Sequence, residues 1–138
     1  MGELNGSEIL AKALKREGVD ELFFLMGGPM LAAESASIKE GIRCIDVRHE
    51  QAAAMMAQAY SRLQQRPGVC MAASGPATIN LSTGLANALI DCCPVVALGG
   101  ASPILGNGKQ VFQEIDQMEI MSGCVKSVSY THLTLPTI

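Results

Sequence analysis

The sequence predicts a doubly wound α/β domain, a three-layer arrangement in which a parallel sheet lies between helices on both faces. Short apolar runs alternate with helical patterns of about 10 to 15 residues. The strand runs are apolar throughout rather than alternating, as in strands buried on both faces. Turns bearing glycine or proline close three of the four.

Ser7 to Glu17 places Ile9, Leu10, Ala13 and Leu14 on one helical face, with Asn5 or Ser7 as N-cap and Gly18 where a helix stops. Leu22 to Met26 is a buried strand ended by Gly27-Gly28-Pro29, followed by a less periodic helix over Leu31 to Glu40. Ile42 to Val47 reads as the second strand and Glu50 to Leu63 as a helix rich in alanine and methionine. Val69 to Ala73 is a strand running into Ser74-Gly75-Pro76. A single helix is expected over Ile79 to Ile90, then a strand over Pro94 to Leu98 that ends at Gly99-Gly100.

The chain has 138 residues, enough for one domain and not two. Hydrophobic residues make up 49% and charged residues 17%, low against about 25% in an average domain, so more surface than usual is expected to be covered. Thirteen acids against ten bases give a net charge of −3 without a basic run, which argues against a nucleic-acid partner. The five cysteines, Cys44, Cys70, Cys92, Cys93 and Cys124, contain no C-x-x-C pair and read as reduced thiols of a cytoplasmic protein. With only His49 and His132 to complement them, no metal site is expected. The start has no secretory pattern, and no run reaches the ~18 apolar residues of a membrane span.

In open parallel sheets, ligands sit beyond the carboxyl ends of the strands. Four loops lie there: Gly27-Gly28-Pro29, Arg48-His49-Glu50-Gln51, Ser74-Gly75-Pro76-Ala77 and Gly99-Gly100-Ala101-Ser102. Only the second carries titratable side chains, so Arg48, His49 and Glu50 are the first acid/base candidates. Taken alone, these residues also suit plain structural roles: a first-turn carboxylate for Glu50, a turn histidine for His49, and for Arg48 a surface charge or the partner of a nearby acid. Neither G-x-G-x-x-G nor G-x-x-x-x-G-K-[ST] occurs, and Ser74 lies outside G-x-S-x-G, so a dinucleotide fingerprint, a P-loop and a nucleophile elbow are unsupported. The methionines, Met55, Met56 and Met71 among them, read as core filler.

Four stretches in order, GVDELFFLMGG, IDVRHEQAAAMMAQAYSR, RPGVCMAASGPATINLSTGLANALIDCCPVVALGG and VFQEIDQ, closely resemble the N-terminal, pyrimidine-binding domain of thiamine-diphosphate-dependent enzymes of the acetolactate synthase group. The resemblance covers Gly6 to Ser127. It implies that Glu50 hydrogen-bonds the aminopyrimidine ring nitrogen of the cofactor and favours the imino tautomer that takes the proton from the thiazolium carbon. It further implies that Gly27 and Gly28 line the cofactor or substrate pocket from the opposing subunit, that Gly75, Pro76 and Asn80 shape the wall near the pyrimidine, and that Phe112 and Gln113 face the substrate. Ala77 stands where that pattern usually has glycine, and Pro29-Met30 follow the glycine pair where small residues are common.

The RPGVC and LANALIDCCP stretches are also similar to oxalyl-CoA decarboxylases and 2-hydroxyacyl-CoA lyases. The implied parent acts on 2-keto acids or acyl-CoA substrates as a homodimer or tetramer. Its C-terminal domain would hold the diphosphate and Mg2+, and a flavin (FAD) is compatible with the parent. A non-catalytic interaction module or a degraded fragment is the rival expectation. The stretch Val128 to Ile138, VSYTHLTLPTI, breaks the α/β rhythm, and VSYTHLTLPT resembles a translated transposase-type sequencing adaptor. Residues 1–127 are therefore expected to be the native part of a truncated parent, inactive alone, and 128–138 a non-native tail.

Overall fold

A computed structural model describes residues 4–130. Residues 131–138, most of the segment expected to be non-native, lie outside the described residues.

The first helix, α1 (Gly6–Arg16), is opened by Asn5, whose side chain accepts a hydrogen bond from the Glu8 backbone N–H while the Glu8 carboxylate accepts one from the Asn5 N–H, both at 3.0 Å. This reciprocal cap satisfies two donors that a helix start leaves unpaired. Strand β1 (Glu21–Phe24) ends sooner than expected, and a short 3-10 turn over Gly28–Met30 leads into α2 (Leu31–Lys39). Next come β2 (Arg43–Asp46), α3 (Glu50–Gln64) and β3 (Gly68–Ser74). Helix α3 stops where Gln65 turns to a left-handed φ of 54°.

The helix expected over Ile79 to Ile90 is two helices, α4 (Pro76–Asn80) and α5 (Ser82–Ile90). It starts earlier because Pro76 suits a first helical position, lacking an N–H that would go unpaired there. It divides because the Leu81 N–H bonds the Thr78 carbonyl, three residues back, tightening the chain at that point. Strand β4 (Val95–Gly100) runs through the glycine pair expected to end it, since Gly99 and Gly100 still pair with Ala72 and Ser74 of β3. A further helix, α6 (Gln117–Ser122), was not expected.

All strands are parallel, in the order β2-β1-β3-β4. From β1 the chain first winds outward to β2 and then returns to the other side for β3, so the direction of winding reverses between β1 and β3. Clefts open at such a reversal because the flanking loops diverge.

Successive residues of β1 and β3 point to opposite faces, and both faces are buried. Leu22, Phe24, Val69 and Met71 join Ala33 and Ile42 beneath α1 and α2. Phe23, Cys70 and Ala72 join Ala53, Ala54, Ala57, Leu81, Leu85 and Met121 beneath α3 to α6. Burying one large side chain such as Leu22 contributes about 1.5–3 kcal/mol. Where α3 meets β3 and α5, the second face is built from small residues: a Cβ on Gly68 would lie 2.0 Å from the Ala57 carbonyl oxygen, and one on Gly84 would lie 2.5 Å from the Ala54 Cβ. Helix α3 therefore sits almost backbone to backbone on β3 and α5.

Candidate functional site

The loop after β2 carries the charged residues. His49 is the N-cap of α3, its Nδ1 accepting a hydrogen bond of 3.1 Å from the Gln51 N–H. Arg48 points to solvent and pairs with Asp46. Glu50 is the first residue of α3 and is 8% exposed, a carboxyl group drawn out of water at the positive end of a 15-residue helix.

The turn after β3 supplies its partner. Gly75 has φ 59° and ψ −119°, a conformation open in practice only to glycine, and it reverses the chain from β3 into α4. Asn80, the last residue of α4, then donates from Nδ2 to Glu50 Oε2 at 2.9 Å. Among the described residues only Asn80 bonds this carboxyl, which leaves Oε1 able to share a hydrogen bond with a ligand atom. A carboxyl held by one oxygen and free at the other can accept from, or return a proton to, a ring nitrogen placed beside it.

The loop before α6 closes over the same turn. Ser74 Oγ donates to Gln113 Oε1 at 3.2 Å, and Gln113 has a left-handed φ of 59°. Gln117 is 9% exposed and uses both ends of its side-chain amide: Oε1 accepts from the Gly75 N–H at 2.8 Å, and Nε2 donates to the Gly100 carbonyl at 2.7 Å. Each of those backbone groups left buried and unpaired would cost about 1–3 kcal/mol.

The structure thus brings Glu50, Gly75, Pro76, Asn80 and Gln113 to one edge of the sheet. Gly27 is there too, held close by packing, since a Cβ on it would lie 2.3 Å from the Ala73 Cβ; around Gly28 a Cβ would meet nothing within 4 Å. Phe112 stands apart, 87% exposed with its ring off the core. Gln117 closes the VFQEIDQ stretch, but no role was expected for it. Its one local signal is Asp116 followed three residues later by Glu119, the spacing of a helix cap, and Asp116 does accept from the Glu119 N–H at 2.9 Å.

Among the described residues no group of three or more His, Cys, Asp or Glu side chains could hold a metal ion, and no helix is long and apolar enough to cross a membrane.

A parallel sheet whose carboxyl-end loops gather a desolvated carboxyl group and an amide partner has the layout of a ligand-binding α/β domain. The family model described as "Thiamine pyrophosphate enzyme, N-terminal TPP binding domain" matches residues 4–120, and the chain belongs to that family. It is 40% identical over 125 residues to the acetolactate synthase isozyme 2 large subunit of Escherichia coli (strain K12), covering 89% of this chain and 22% of that protein. Similarity to the chloroplastic acetolactate synthase 2 of Nicotiana tabacum is 40% over 122 residues, 88% of this chain and 18% of the relative. The 2-hydroxyacyl-CoA lyase 1 of Mus musculus is 38% identical over 117 residues, 85% of this chain and 20% of the relative. The chain spans about a fifth of the length of these curated relatives.

Proposed function

We propose that this domain activates the aminopyrimidine half of thiamine diphosphate in an enzyme that forms or breaks a carbon-carbon bond next to a carbonyl, as acetolactate synthases do. The observation that carries the reading is Glu50: desolvated, fixed at a helix start, held at Oε2 by Asn80 and open at Oε1. Those features fit a pyrimidine ring nitrogen, which needs one carboxyl oxygen free of protein partners. When bound, the cofactor supplies a carbon nucleophile and an electron sink. Glu50 holds and returns the proton at the ring nitrogen; Asn80 keeps the carboxyl aimed; Gly75 turns the chain and Pro76 starts the helix that carries Asn80.

In this reading Gly27 and Gly28 line the pocket, Phe112 and Gln113 face the substrate, and the substrate is a 2-keto acid that undergoes decarboxylation and carboligation. We assign the diphosphate and its Mg2+ to a separate domain of the enzyme, and the completed site to a homodimer or tetramer. With five free thiols, a reducing compartment such as the cytoplasm suits the chain. A second reading, lyase action on a 2-hydroxyacyl-CoA, is favoured by the similarity to the mouse lyase.

The test is Glu50→Gln in the enzyme carrying this domain. Cofactor-dependent turnover of 2-keto acids and of 2-hydroxyacyl-CoA thioesters should fall by about a thousandfold or more with the thermal midpoint unchanged. A variant that keeps the wild-type rate overturns the role given to Glu50, whereas absence of cofactor-dependent turnover in the unmutated enzyme leaves a non-catalytic interaction module as the better account.

A further inference from the structure

We propose that Gln117 is a positioning residue: its buried side-chain amide clamps the turn between β3 and α4 and so sets where Asn80 meets Glu50. The proposal rests on the reading of Glu50 given above.

The last ladder partners of β3 and β4 are Ser74 and Gly100. Beyond them the strands part, because the positive φ of Gly75 turns the following chain into α4, and the Gly75 N–H bonds Gln117 rather than β4. Gln117 fills the gap. Its side-chain amide carries a carbonyl and an NH2, so it can pair as a peptide group does, and it bonds Gly75 with the carbonyl and Gly100 with one N–H. The sheet is in effect continued by one unit through a residue 42 positions from Gly75 and 17 from Gly100.

What this clamp holds is short. Helix α4 has five residues, no side-chain cap at its start, and Asn80 at its far end. Its anchors at the β3 end are the Thr78 Oγ1 bond to the Ala73 carbonyl at 2.6 Å and the Gln117 bond to Gly75. A small rotation about Gly75 is carried along the helix to Asn80. Helix α6, which bears Gln117, is in turn fixed by Met121 in the core, so the clamp has a rigid base. Gln117 therefore acts on the carboxyl only through α4 and Asn80.

Two substitutions separate this role from general support of the fold. Gln117→Met keeps the length and removes both polar ends, and Gln117→Glu keeps the acceptor for Gly75 but loses the donor to Gly100. In the 138-residue chain without cofactor, Gln117→Met should speed hydrogen exchange of the Gly75 amide by about tenfold and move the side-chain amide resonances of Asn80. Gln117→Glu, which turns a buried carboxylate oxygen toward the Gly100 carbonyl, should do both as well. In the enzyme, Gln117→Met should lower kcat by about tenfold at unchanged KM. The double variant Gln117→Met with Asn80→Ala should lose no more than Asn80→Ala alone, because both changes break one path.

Unmoved Asn80 resonances, unchanged Gly75 exchange, or losses that multiply in the double variant each overturn the proposal. If Gln117→Met does not fold, Gln117→Glu decides by the same readouts. The Glu50→Gln control keeps the two readings apart. Should that variant retain the wild-type rate while Gln117→Met still displaces Asn80, the catalytic reading fails and the clamp stands; should it lose the rate while Asn80 stays in place, the clamp fails alone.

Discussion

Gly75 lies so close to Gln113 that a Cβ added to it would stand 2.0 Å from the Gln113 carbonyl oxygen. The contact joins the turn after β3 to the loop before α6, and it operates together with a φ of 59° that side chains rarely adopt.

Gly75→Ala should therefore destabilise the chain by about 3 kcal/mol, combining backbone strain with a clash that only movement of the 113–117 loop can relieve. Urea unfolding measures it. Gly28→Ala is the control: with open space around it, the same added methyl should change stability by less than about 0.5 kcal/mol. Equal effects at the two positions would contradict the close contact.

Glu34 has a different signature. Its Oε2 is buried without a hydrogen-bond partner, and burial, followed by the charge of Asp46, holds its carboxyl above the usual range. The folded state thus keeps this proton more tightly than the unfolded chain. The stability it contributes is fully present below the unfolded value and is lost as pH rises through the folded one. Glu34→Gln should raise the thermal midpoint near pH 7 and leave it nearly unchanged near pH 3. A larger gain in acid than at neutrality would show the sign to be wrong.

The thiols should separate by reactivity. Burial pushes Cys70 up to about 12, and burial with the nearby Glu34 charge pushes Cys44 up to about 11, so neither forms thiolate at ordinary pH. Cys92 is exposed. Iodoacetamide near pH 8, followed by peptide mass spectrometry, should modify Cys92 first and Cys70 only after unfolding. Labelling of Cys70 in the native chain at a comparable rate would mean that β3 opens readily.

The layers and the helix start at Glu50 were legible because each rests on a local pattern: an uninterrupted apolar run for β3, and a strand, loop and helix in close succession around Arg48-His49-Glu50. The division of α4 from α5 was not, since the stretch of small residues has no breaker at Leu81 and the tightening is a matter of one hydrogen bond. Gln117 was out of reach for another reason. Its partners are backbone groups delivered by two distant strand ends, and backbone groups leave no mark on composition or periodicity. Asn80 entered through family resemblance, whereas its bond to Glu50 depends on how far a five-residue helix carries it.

The unequal build of the two sheet faces implies two opposite rules of sequence drift within one domain. Under α3, where Gly68, Gly84, Ala53, Ala54 and Ala57 meet almost at their backbones, added volume is what selection must remove. Under α1 and α2, where Leu22, Phe24, Ile42 and Met71 fill the space, it is lost volume. Neighbouring residues of β3, Cys70 and Met71, thus evolve under contrary constraints although a single peptide bond joins them.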